Sequence, residues 1–362
     1  MITSAKLHAG DWVEVRSKEE ILATLGKDGR LEGLPFMPEM FEYCGRRFQV
    51  FKRAHKTCDP PNGLESRRMP NTVHLEDVRC NGKAHGGCQA ACLMYWKEAW
   101  LKPVDGPTRP AMVTCIAAKE TDISCTERDV WDATMRPSEL PTNEPAYVCQ
   151  STEVEVATLP LKWWDVRQYW EDYSSGNNSL GEILSVGFVF VYHRLASSGL
   201  GIGSAMRWLF DVVQRMRGGA VYPWRFGMIP RGTKTPVQKL NLQPGELVRV
   251  KGYHEILNTL DEENINRGMW FDAEMVPFCG KTFRVLDRVS RIINEKTGKM
   301  QVFKNECIIL EKVVCNACYA KHRRFCSRAI YPFWREIWLE RIEDPQNRDQ
   351  ETHTDSIVMT AR

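Results

Sequence analysis

Gly10-Asp11-Trp12-Val13-Glu14-Val15 and Gly245-Glu246-Leu247-Val248-Arg249-Val250 are one pattern written twice, and this repetition decides how the chain is read. Residues 10–81 align with 245–316 at a constant offset of 235, through Glu20/Glu255, Thr24/Thr259, Phe36/Phe271, Cys44/Cys279, Arg53/Arg288, Leu75/Leu310 and Cys80/Cys315. Three residues then enter the second copy. At an offset of 238 the match resumes with Cys88/Cys326, Trp96/Trp334, Glu98/Glu336 and Trp100/Trp338. Identities held in a single frame over this length are the signature of an internal duplication.

Within each copy the local pattern is β-rich. Trp12–Val15 and Leu247–Val250 alternate as half-buried strands do, and Phe48–Phe51 and Phe283–Leu286 follow Cys-Gly turns in the same way. Glu20-Ile21-Leu22 reads as a short helix, and Val73–Leu75 and Ile308–Leu310 read as further strands. Short strands with glycine turns in so few residues suit a small, partly open barrel. Trp96 with Trp100, and Trp334 with Trp338, are spaced i,i+4 and predict a closing helix in each copy.

The fold class expected is α+β: two tandem SH3-like β-barrel units, each closed by a C-terminal helix, with a helical insert between them. The expected boundaries are a first repeat over 1–101, an irregular connection over 102–158, a helical insert over 159–235, a second repeat over 236–341 and a disordered polar tail over 342–362. In the insert, Ser179-Leu180-Gly181-Glu182 matches a capping box ahead of an apolar run, Ile183 to Leu195, that reads as a buried helix too short to span a bilayer.

Forty-nine basic and forty-six acidic residues leave a net charge of +3, too weak a field to argue for a nucleic acid or an anionic membrane. The runs Lys321–Arg324, Arg67-Arg68 and Arg225–Lys234 are short, and they give nucleic acid less support than a protein partner. Met1 to Gly10 lacks the features of a secretory leader and the thirteen cysteines are odd in number, so the expected setting is the reducing cytoplasm, where clustered cysteines hold metal more often than disulfides.

The cysteine pattern points to zinc. Cys44/Cys279, Cys80/Cys315 and Cys88/Cys326 occur in both copies. Local ligands stand beside them: His85 and Cys92 in the first, Cys318 and His322 in the second. Four soft or borderline ligands on short loops meet the tetrahedral demand of a structural zinc, and a mixed Cys/His set without ferredoxin spacing argues against an iron–sulfur cluster. Cys44 and Cys279 either complete these sets or lie buried as small hydrophobes.

Two functions compete. The first is a zinc-bearing binding or scaffold protein whose partner is another protein. The alternative is a metal- or thiol-dependent enzyme in the first repeat or the cleft between the copies, drawing on His55, Cys58, His74 and Cys149. The asymmetry favouring it is that Ser290, Ile293 and Asn294 replace His55, Cys58 and Asp59 in the second copy. A nucleophilic thiol needs a base or a cation beside it, and Cys149 has no histidine near it in sequence.

Overall fold

The computed structural model describes residues 6–62, 65–107, 125–136, 145–320 and 322–343. The expected tail beyond 343, Cys115, and residues 108–124 and 137–144 of the expected connection fall outside them. The chain forms a mixed α/β structure in two compact units. The first comprises the chain up to Ser198, together with Arg291–Val302 and Cys315–Ile330; the second comprises Gly199–Ser290, Phe303–Val314 and the residues from Tyr331 onward.

In the first unit a curled antiparallel sheet is built from β1 (Trp12–Val15), β2 (Arg47–Arg53), β3 (Thr72–Arg79), β4 (Leu93–Lys97) and β5 (Leu101–Pro103), in the spatial order β4-β3-β2-β1-β5. Helix α1 (Lys18–Leu22) is opened by Ser17, whose side chain accepts from the Glu20 amide while Glu20 returns a bond to the Ser17 amide, closing two of the helix's orphan donors. Apolar side chains from both flanks of this sheet fill one core around Phe36, Met40, Val50, Trp96 and Trp100.

The second unit holds a four-stranded sheet of β6 (Leu247–Val250), β7 (Thr282–Arg288), β8 (Ile308–Leu310) and β9 (Leu339–Arg341), ordered β8-β7-β6-β9. Its registers pair the positions that correspond in sequence. Val13 faces Phe48 and Val248 faces Phe283; Val50 faces Leu75 and Val285 faces Leu310, each followed by the same register shift.

The closing helices are not formed. Trp96 lies in β4, opposite Val73, and Trp100 ends a single 3-10 turn, Glu98–Trp100, that leads into β5. Trp334 pairs with Ile308 and Trp338 ends the turn Glu336–Trp338. A strand running into one tight turn brings i and i+4 to the same side, so this spacing alone does not separate it from a helix. All four indoles are fully buried, with Phe36 edge-on to Trp100 at 5.1 Å and Phe271 edge-on to Trp338 at 5.2 Å.

The shared Arg and Glu also meet. Arg53 Nη1 lies 2.5 Å from Glu98 Oε1 and donates to the Leu7 carbonyl; Arg288 Nη1 lies 2.8 Å from Glu336 Oε1 and donates to the Leu242 carbonyl. The buried Arg53, Glu98 and Glu336 are thus each paired, as burial requires, while Arg288 is half-buried.

Of the insert, α3 (Arg167–Ser174, numbered after α2, Glu127–Asp132) and α4 (Leu180–Ala196) belong to the first unit and α5 (Gly203–Arg217) to the second. Ser179 and Glu182 form the capping box of α4. The buried setting expected for this helix is not found: only Val186 and Ala196 are buried, while Leu184, Phe188, Val191 and Leu195 are exposed along one stripe. Its length suits an apolar face as well as an apolar core, and no described helix is long and apolar enough to cross a membrane.

Candidate metal centre

Residues 80–92 form a loop between β3 and β4 that is closed at its base by the Cys80 amide donating to the Cys92 carbonyl at 2.9 Å. Inside it, the amides of His85 and Gly87 both donate to Gly82 O, and the Cys88 amide donates to His85 O. Gly82 has φ 68, and a Cβ there would stand 2.1 Å from the Cys88 carbonyl oxygen, so the turn admits only glycine. Its amide donates to Cys80 Sγ.

His85 is buried at the loop's centre. Its Nδ1 lies 2.7 Å from Glu39 Oε1, which also accepts from the Ala84 amide, and its Nε2 lies 3.0 Å from Val148 O. Both ring nitrogens therefore face oxygen acceptors. Burial works to raise the Glu39 carboxyl, but the hydrogen bond and charge of His85 outweigh it and hold it below the ordinary carboxylate value. The pair's contribution is therefore full above the ordinary glutamate range and is lost as pH falls through the depressed value. Glu39→Gln is expected to lower stability near neutral pH by about 1–3 kcal/mol and to flatten the acid limb of a stability-against-pH curve measured by urea unfolding. Glu39 Oε2 is buried without a hydrogen-bond partner.

The ligand atoms of Glu39, Cys80 and His85 lie within 4.8 Å of one another, a set able to hold a metal ion. Beside them is a cavity of about 30 Å³, room for an ion or a water. The residues lining it include Cys80, Cys88, Cys92 and Cys149 together with His85. Cys149 is brought here by a segment that Gln150 stitches to the edge of β4: the Tyr95 amide donates to Gln150 Oε1 at 2.8 Å, and Gln150 Nε2 donates to Tyr95 O at 2.8 Å. Burial raises the thiols of Cys80 and Cys92 and pushes that of Cys149 up to about 12. A divalent cation reverses this by displacing the protons. Comparison with known proteins finds no matching family model, no matching curated protein and no matching solved structure.

The other residues singled out from sequence are placed as follows. Cys44 packs on the core of the first sheet, its thiol pushed up to about 11 by burial, and does not line the cavity. Cys279 lies in the second unit, pushed up to about 12 by burial, whereas Cys315, Cys318, His322 and Cys326 belong to the first. The His322 carbonyl accepts from Ser66 Oγ.

His74 is fully buried, its Nδ1 2.9 Å from Met94 O, and burial pulls its pKa down to about 3, so the ring is neutral. His55 is buried with its Nε2 3.0 Å from Asp172 Oδ1. Cys58 is buried against Cys326; the hydrogen bond from Cys58 to Cys326, followed by burial, raises the Cys58 thiol well above its ordinary value. Sequence reasoning did not assign Glu39 to the cluster or Cys149 to the loop thiols. In sequence Glu39 is one of several glutamates that recur at the offset of 235, as Glu274, and Cys149 lies outside the repeats, where the alignment carries no information.

Proposed function

We propose that this chain is a zinc-bearing scaffold protein of the cytoplasm, built from a duplicated SH3-like β-unit, with a zinc ion held by Cys80, Cys88, Cys92 and Cys149 and with another protein as its partner. The observation that carries the reading is that four cysteines, three from one closed loop and one from a distant segment, line a single small cavity. Thiolates are the ligands zinc takes in closed structural sites. In this reading the Glu39–His85 pair orients the loop from behind, since a metal-bound His85 would have to give up one of its two oxygen partners. The exposed stripe of α4, with Trp164 and Trp170 of the preceding segment also exposed, is apolar surface of the kind that marks interaction sites.

A second ligand set, Glu39–Cys80–His85, is favoured by the 4.8 Å clustering of its ligand atoms and by the unpartnered Glu39 Oε2. Metal analysis of single variants separates the two. Cys88→Ser, Cys92→Ser and Cys149→Ser should each lower bound zinc by about one equivalent per chain while Cys44→Ser leaves it unchanged, with the remaining metal resistant to mild chelation. If these three variants keep full metal and Glu39→Gln and His85→Ala lose it, the second set holds the ion. A wild-type protein without metal, purified in the absence of chelators, refutes both, and a single readily exchanged metal argues for an open site and for the enzyme.

A further inference from the structure

The loop 315–330 repeats the architecture of loop 80–92. The Cys315 amide donates to Ile330 O as the Cys80 amide does to Cys92 O, and the Phe325 amide donates to Ala317 O as Gly87 does to Gly82 O. Positive φ recurs at matched places, 68 and 52 at Gly82 and Ala317, 73 and 60 at Gly87 and Phe325, 47 and 42 at Ala91 and Ala329. Two of the second loop's residues therefore hold a left-handed backbone where the first has glycine, a conformation that persists only when its surroundings impose it.

Over each loop lies a β-hairpin from the opposite copy. Strand Arg291–Ile293, paired with Met300–Val302, lies on the first loop, where the Gln89 amide donates to Arg291 O and the Ile293 amide to Cys88 Sγ at 3.3 Å. Strand Thr57–Asp59, paired with Glu65–Arg68, lies on the second, where Ser327 Oγ donates to Lys56 O and the Cys58 amide to Cys326 Sγ at 3.1 Å. Arg291 corresponds to Lys56, Ile293 to Cys58, and Cys88 to Cys326, so the two contacts are the same contact made in each direction.

The ligand-bearing residues differ between the two places in a compensating way. Where the first loop ends in Cys92 the second ends in Ile330, and where the hairpin over the first loop carries Ile293 the hairpin over the second carries Cys58. Cys58, Cys326 and Cys315 pack into one cluster with Ala317 and Ile330, and Cys318 follows Cys315 across Ala317 at the two-residue spacing of zinc loops. The buried Arg328 donates to Cys58 O at 3.1 Å and places a positive charge beside the cluster.

We infer that Cys58, Cys315, Cys318 and Cys326 form a second zinc site, in which a ligand from the first copy's hairpin closes the second copy's loop. On binding, zinc displaces the thiol protons to solvent and forms Zn–S bonds, with no change of oxidation state. The amide donors to Cys326 Sγ and Cys88 Sγ supply the outer hydrogen bonds that metal-bound thiolates receive.

The test is metal content and cobalt(II) spectroscopy on the full chain. Wild-type protein should bind about two metals, and Cys58→Ser, Cys318→Ser and Cys326→Ser should each bind about one fewer. A Cys58→His variant, which keeps a ligand, should retain both metals and shift the cobalt d–d bands while weakening thiolate-to-cobalt charge transfer. If Cys58→Ser and Cys58→His both match wild type in metal and spectrum, the inference is overturned. It is equally overturned if the wild type lacks this metal and shows two fewer reactive thiols before reduction than after, which is the result for a Cys58–Cys326 disulfide. Because Cys149→Ser reports on the first cavity alone, loss of metal in one variant set without the other tells which site has failed.

Discussion

Trp100→Ala and Trp338→Ala are each expected to destabilise the protein by about 3–5 kcal/mol, the range for truncating a large buried aromatic side chain. Both indoles are fully buried, both are met edge-on by a phenylalanine, and both donate their Nε1–H to a shared threonine, Trp100 to Thr24 Oγ1 at 3.1 Å and Trp338 to Thr259 Oγ1 at 2.9 Å. Truncation removes the packing and leaves a hydroxyl without its donor, so the loss is larger than area alone gives. Because the two indoles lie in different compact units, denaturant unfolding of each variant should lower the midpoint of a different transition if the units unfold separately. Unchanged midpoints in both variants would show that these side chains do not carry the cores.

Asp172→Ala is expected to cost about as much, roughly 3–5 kcal/mol, for a different reason. Asp172 lies on α3 and is fully buried, with Oδ2 2.7 Å from Lys56 Nζ and Oδ1 3.0 Å from His55 Nε2. Lys56, also fully buried, lies 4.8 Å from the Tyr169 ring centroid and 5.4 Å from that of Phe325. Burial depresses the Lys56 ammonium and the Asp172 carboxylate works against that. Without the carboxylate, a lysine sealed from water either stays charged without a partner or gives up its proton. The double variant Lys56→Met with Asp172→Leu should recover most of the loss, since a well-packed apolar pair replaces a buried ion pair at little cost. Chemical denaturation of the three variants measures this, and a double variant as unstable as Asp172→Ala would show that the charges do more than satisfy each other.

Period and pairing were legible in the sequence where the interactions are local. The alternation of Trp12–Val15 and Leu247–Val250 and the capping box at Ser179 could be read directly, because each depends on neighbours; the recurrence of Arg53/Arg288 and Glu98/Glu336 was visible, but which carboxylate each arginine meets was not. The Trp96/Trp100 spacing misled because a strand and a tight turn reproduce helical spacing over a single step. The stripe on α4 read as buried because hydropathy reports what a side chain avoids, not whether anything covers it.

The cysteine differences are visible in the sequence, but singly each has another meaning. Cys58 opposite Ile293 looked like asymmetry between a reactive and an inert copy, whereas together with Cys92 opposite Ile330 it redistributes one thiol per loop. Seeing this requires the crossed hairpins, a pairing between residues more than two hundred positions apart that no local pattern encodes.

Those crossed hairpins also govern the order in which the chain can be completed during synthesis. The first compact unit includes Arg291–Val302 and Cys315–Ile330, so the ribosome has made nearly the whole second copy before the first unit has all its parts. A nascent chain stopped anywhere between the repeats presents a hairpin and a cysteine loop with nothing laid over them, and contacts of such long sequence separation form late and slowly. Cutting the gene at the repeat boundary would accordingly yield two incomplete proteins, each missing the strand that the other carries.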